Sequence, residues 1–181
     1  MEVEIRAKIS NIEELERKIQ NMGAKYVKEH NLYDRYFGAI ELYKKKGHSF
    51  LVRIRKSNND YLLAVKSAKQ KMDGCWGEYE LPIENPQLYV EMLKTTGFEN
   101  IINIKKVRKE YKLNNINIII DRFKQYGDFL EVEIITEKPD KALLFDFLKK
   151  LGIGKEEIIE KGYISLFLEQ MRSPFAKYVK H

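Results

Sequence analysis

A single cysteine, Cys75, stands in a chain of 181 residues. That scarcity excludes an internal disulfide framework and makes a thiolate metal cluster implausible, so no structural zinc is expected and a reducing cytoplasm is the default. Histidine is nearly as rare: His30, His48 and His181 have no ligand spacing, and His48 falls in a Gly47-His48-Ser49 turn. No apolar run approaches the roughly 20 residues needed to span a bilayer, and the N-terminus enters a charged strand without an apolar signal core. A soluble protein with no membrane partner is therefore expected. Charge of one sign is not dominant either. Lys+Arg 33 against Asp+Glu 27 gives +6 and a pI near 9.1, a modest tilt toward anionic partners. LGIGKEE is not a Walker loop, since Lys149 stands where a glycine is needed and Glu156 where Ser or Thr is needed; it reads as a helix end. The run Lys44 to Lys46 reads as a solvated loop.

What is present is alternation. In MEVEIRAKI, Glu2, Glu4, Arg6 and Lys8 share one face of a strand while Val3, Ile5, Ala7 and Ile9 share the other. The same division recurs downstream. Arg53 and Arg55 oppose Val52 and Ile54; Lys66 ends the next strand; Glu78 and Glu80 oppose Tyr79 and Leu81; Lys106 and Arg108 follow; Asp121 ends Ile116 to Ile120; Glu131 and Glu133 oppose Leu130, Val132 and Ile134.

Asn11 caps a first helix with Ile12, Leu15, Ile19 and Met22 on one side, ending at Gly23. Strand-like segments follow at 31 to 37, 48 to 56, 60 to 69 and 76 to 83, then a helix from about Pro86 to Thr95. Three more strands (101 to 113, 116 to 123, 129 to 136) are joined by Asn114-Asn115 and by a Tyr126-Gly127-Asp128 turn. A third helix begins after Pro139 at Asp140 and stops at Gly152; a fourth runs from about Ile164 to Met171. The expected fold is α+β: a closed or nearly closed eight-stranded antiparallel β-barrel, a tunnel with a charged interior, flanked by about four helices. One domain covers 1–172, followed by a basic tail at 173–181 too short to be a domain.

Seven acids and seven bases on one face suit a chain of phosphates with a divalent cation, because Arg and Lys bind phosphate oxygens and carboxylates bind Mg²⁺ or Mn²⁺. Unpaired charges indoors are expensive, so salt bridges or a bound metal and anion are expected at rest.

These segments, in this order, resemble the CYTH domain or triphosphate tunnel metalloenzyme group, which includes class IV adenylate cyclases and triphosphatases. EVEIRAK is similar to its acid-x-acid-x-base first strand, NLYDRYF to its Asp-x-Tyr-Phe strand, FLVRIRK to its Arg-x-Arg strand, and GDFLEVE to its closing Glu-x-Glu strand. The resemblance implies that Glu2, Glu4, Asp121, Glu131 and Glu133 bind Mg²⁺ or Mn²⁺. It implies that Arg6, Lys8, Arg53, Arg55, Lys66, Lys106, Arg108 and Lys161 hold a triphosphate, with Glu2, Glu4, Arg53, Lys66 and Arg108 carrying catalysis. ATP or another triphosphate is the implied partner, and a homodimer is left open. Gly162 replaces a serine that usually follows the late lysine, Arg6 replaces the usual Lys, and Trp76 stands where a basic residue is common. The second and seventh strands are slightly closer to the cyclases, with triphosphatase the alternative. A nucleic-acid binder is disfavoured by five carboxylates that would repel a phosphate backbone unless metal intervenes.

Overall fold

In a computed structural model, residues 2–46, 50–67, 75–137 and 141–179 are described. Among these residues nine strands and five α-helices follow in the order β1 (Glu2–Ile9), α1 (Ile12–Asn21), β2 (Lys25–Gly38), α2 (Ile40–Lys46), β3 (Leu51–Ser57), β4 (Asp60–Ser67), β5 (Cys75–Ile83), α3 (Pro86–Thr95), β6 (Glu99–Leu113), β7 (Ile116–Phe123), β8 (Gly127–Ile135), α4 (Ala142–Leu151), β9 (Ile158–Ile159) and α5 (Tyr163–Gln170). The fold is α+β with a large antiparallel sheet. The additional strand is the two-residue β9, which pairs with β1 at Arg6↔Ile159 and Ala7↔Ile158. The registered ladders run along the sheet and do not by themselves make it a closed barrel.

The additional helix is α2. It takes in Lys44, Lys45 and Lys46, where a solvated loop was expected, because Ile40 and Tyr43 bury one side of a seven-residue amphipathic helix of about two turns. The Tyr43 hydroxyl donates to the Phe50 carbonyl. The Gly47 to Ser49 turn and the Pro139-Asp140 helix start lie outside the described residues.

The chain divides into two compact units. The first is built mainly from Met1–Asn31 and Lys106–Glu160, the second from Leu32–Lys69, Trp76–Lys105 and Lys161–His181.

In the first unit β1 pairs β8, β8 pairs β7 and β7 pairs β6, all antiparallel. Directly opposed residues in such ladders share a face. The apolar face carries Val3, Ile5, Leu130, Val132, Ile134, Ile118 and Ile120, and it is covered by Ile12, Leu15 and Ile19 of α1 and by Leu144, Phe147, Leu148 and Leu151 of α4. The start of α1 and the end of α4 are formed as the sequence suggests. Asn11 accepts a hydrogen bond from the Glu14 amide at 3.0 Å, satisfying one orphan donor of α1. Gly152, at φ 81°, ends α4 in the left-handed region, and the Lys18 ammonium donates to the Leu151 carbonyl at 3.0 Å. LGIGKEE is thus a helix terminus. The hairpin between β6 and β7 turns at Asn114, φ 52°, a conformation asparagine tolerates.

In the second unit β3 lies between β2 and β4, and β4 pairs β5. Phe37, Val52, Ile54, Ile83 and Val90 form its core, with α3 supplying Val90, Tyr89 and Leu93. Asn85 caps α3 by accepting from the Leu88 amide at 3.2 Å. The terminal segment belongs to this packing. Val179 is buried, and its carbonyl accepts from the Ser165 hydroxyl of α5 at 3.0 Å.

Candidate metal and phosphate centre

With its apolar face under the helices, the first unit's sheet leaves the other face to charged side chains. Register decides which of them meet. Glu4 lies opposite Glu133, Glu133 opposite Asn117, and Asn117 opposite Lys112. One row further, Arg6 lies opposite Glu131; beyond that Lys8 opposes Phe129, Phe129 opposes Asp121, and Asp121 opposes Arg108.

Like charges facing each other across an antiparallel pair are destabilising unless a cation intervenes. Glu4 and Glu133 are such a pair, and Glu2, two residues along β1, joins them. One carboxylate oxygen from each of Glu2, Glu4 and Glu133 lies within 4.8 Å of the others. Three converging carboxylates are the hard-oxygen donor set a divalent cation prefers. The residues therefore fit Mg²⁺ or Mn²⁺.

The other two predicted acids are held by bases. Arg6 Nε donates to Glu131 Oε2 at 2.6 Å, and Arg6 Nη2 also reaches Glu4. Asp121, fully buried, accepts from Arg108 Nε at 2.7 Å, from Arg108 Nη2 at 2.6 Å and from Lys106 Nζ at 2.8 Å. Burial pushes the Asp121 carboxyl up. The charges of Arg108 and Lys106, with the Arg108 hydrogen bonds, outweigh that and hold it below the ordinary carboxylate value. Lys106 also sits over the Phe123 ring, 5.4 Å from its centre. Lys8 is exposed.

The second unit has its own charge cluster. Arg55 and Asp34 form a two-pronged pair at 2.7 and 2.8 Å. Arg53 reaches Glu80 at 2.6 Å. That pair skips a strand: Arg53 opposes Ala64 and Ala64 opposes Glu80, so the guanidinium passes over a methyl group. Lys66 is placed opposite Leu51 and Glu78, and its side chain lies outside the described residues, as do those of Glu78 and Trp76. Lys161 is exposed and pairs with Glu169 at 2.7 Å.

Four contributors carried no site role in the sequence reading. Asp34 stands within the Asp-x-Tyr-Phe strand motif, and Asn117, Glu110 and His30 lie outside the motifs that mark the charged face. His30 Nε2 and Glu110 Oε1 are 2.8 Å apart. The available signal was parity: Lys106, Arg108 and Glu110 stand at i, i+2 and i+4 of one strand.

The profile of the CYTH domain matches residues 1–163. The chain belongs to the CYTH domain family. A protein of Methanocaldococcus jannaschii named "Putative adenylate cyclase" is 32% identical over 173 residues, covering 92% of this chain and 98% of that one. The solved structure of a Pyrococcus horikoshii protein superposes with a TM-score of 0.80 at 31% identity, covering 92% of this chain and 99% of the other. A Hippeastrum protein with a dominant triphosphatase activity shares the CYTH fold at a TM-score of 0.66 and 19% identity, over 96% of this chain and 97% of that one. Among the described residues no helix is long and apolar enough to cross a membrane.

Proposed function

We propose that this CYTH protein is a divalent-metal-dependent enzyme acting on triphosphates, most like a class IV adenylate cyclase that converts ATP to cyclic AMP and pyrophosphate. The observation that carries the proposal is the convergence of Glu2, Glu4 and Glu133 on one sheet face that also holds Arg6, Lys106 and Arg108. The CYTH match, over residues 1–163, runs through both compact units, which supports reading 1–172 as one domain.

Glu2, Glu4 and Glu133 would hold Mg²⁺ or Mn²⁺, which when bound neutralises phosphate charge and acidifies the attacking hydroxyl. Lys106 and Arg108 bind phosphate oxygens and stabilise charge that develops on the departing pyrophosphate. They can do so because Asp121 and Phe123 fix their side chains beforehand, so little freedom is lost on binding. Arg6 exchanges a carboxylate partner for a phosphate oxygen, its planar fork suiting both. Arg53, Arg55, Lys66, Lys8 and Lys161 are assigned to the phosphates by family resemblance. No protein nucleophile is required: the ribose 3′-hydroxyl attacks the α-phosphate and pyrophosphate leaves.

A triphosphatase is the second reading, favoured by the fold shared with the Hippeastrum protein. In it water attacks the terminal phosphoryl group. A product assay decides. ATP and inorganic triphosphate, each with Mg²⁺ and with Mn²⁺, are followed for cyclic AMP, pyrophosphate and free phosphate. Cyclic AMP with equimolar pyrophosphate supports the cyclase, free phosphate the triphosphatase, and intact substrates under all conditions reject both.

A further inference from the structure

Strand β7 reads INIIIDRF, and Ile116, Ile118, Ile119 and Ile120 are all buried. Asn117 interrupts this run, although asparagine is depleted in strands because its amide competes with the ladder. The structure gives that amide two partners. Asn117 Nδ2 donates to Glu133 Oε1 at 2.8 Å, and Asn117 Oδ1 accepts from Lys112 Nζ at 2.5 Å. The three residues lie directly opposite one another across β6, β7 and β8, so the contacts follow from register.

The order of this relay is chemically fixed. An ammonium can only donate, so Lys112 requires the carbonyl oxygen of the Asn117 amide on its side. The amide NH₂ must then face Glu133. A carboxylate engaged at one oxygen by such a donor keeps its second oxygen for a cation, and its plane is set before the cation arrives.

We propose that Asn117 is a positioning residue for the metal centre: pinned by Lys112, its amide orients the Glu133 carboxylate for divalent-cation binding. This rests on the assignment of Glu2, Glu4 and Glu133 as the metal ligands. Groups that orient a ligating carboxylate are worth about 10- to 100-fold in metal affinity.

The test uses the full chain and Mn²⁺ alone, with free Mn²⁺ read by electron paramagnetic resonance and the fold monitored by thermal unfolding. Asn117→Leu should weaken Mn²⁺ binding by about 10- to 100-fold. Its unfolding curve should match the wild type's, a combination that a merely structural role does not produce. Asn117→Val, which suits a strand and carries no donor, should show the same loss and serves if the leucine variant does not fold. Lys112→Met should weaken binding less, since the amide can still donate once unpinned. Wild-type affinity in both Asn117 variants overturns the inference and leaves the metal assignment standing. A wild-type chain that takes up no Mn²⁺ overturns both.

Discussion

Replacing Asp121 by asparagine removes one negative charge from a fully buried site and leaves its volume nearly unchanged. The carboxylate accepts three charge-assisted hydrogen bonds from Lys106 and Arg108. An amide can accept from one side only, and it turns an NH₂ toward the cations. A buried ammonium and a partly buried guanidinium then lose their shared counter-charge, with Glu131 too far from Arg108, at 3.8 Å, to replace it by a full hydrogen bond. Breaking a buried ion pair from one side costs about 3–5 kcal/mol. For a chain of this length that is a fall in Tm of roughly 6–20 °C. The pH dependence gives a second handle. Because the folded carboxyl is held below its ordinary value of 3.8, its stabilisation is present at pH above that value and is lost as pH falls through the lowered one. Urea unfolding of wild type and Asp121→Asn between pH 7 and pH 3 should therefore show a gap that narrows toward acid. A gap below about 1 kcal/mol at pH 7, the size of a surface pair, or a gap independent of pH, refutes the reasoning. Mn²⁺ affinity should be unchanged in the folded variant, because Asp121 is not in the converging carboxylate group.

Glu133→Gln should abolish both Mn²⁺ uptake and triphosphate turnover while leaving metal-free binding of inorganic triphosphate measurable by calorimetry. Arg55→Lys should lower stability by about 1–3 kcal/mol in denaturant unfolding, since a single ammonium cannot reproduce the two-pronged pair with Asp34. Gly38→Ala should destabilise by about 1–3 kcal/mol, because a methyl there would collide with Ile101 and crowd Tyr43; circular dichroism melts are the check. Truncation before Pro174 should lower Tm, since it removes the buried Val179 and the Ser165 hydroxyl's acceptor.

The faces of the strands were legible because period-two alternation reports burial directly: Val3, Ile5, Leu130 and Val132 are all core, and Glu4 and Glu131 face away from it. Helix ends were legible where a single residue makes the cap, as at Asn11 and Gly152. The helix α2 was not, because about two turns with two buried residues are too short for a repeating period to show. Nor was the partition of the five acids. Asp121 faces Arg108 and Glu131 faces Arg6 across a ladder, whereas Glu4 faces Glu133 and meets Arg6 only along its own strand; that depends on pairing register, which no single segment encodes. Asn117 is illegible for a related reason: a lone amide in an isoleucine-rich strand carries no charge pattern, and its contacts with Lys112 and Glu133 depend on the same register.

The resting pairs of Arg6, Lys106 and Arg108 make this face an ion exchanger that is already loaded. A bare basic surface binds phosphate by shedding dissolved counterions, so its affinity falls steeply as salt is added. Here the counterions are Glu4, Glu131 and Asp121, tethered to the chain and unable to leave. On the proposed function, an arriving triphosphate would draw Arg6 from its carboxylate partners and reach Lys106 and Arg108 beside a retained Asp121, shedding little salt, so its affinity should fall only shallowly with ionic strength. The same tethering rejects anions too weak to compete with a carboxylate, so chloride and other monovalent ions should leave the face untouched at concentrations where triphosphate binds.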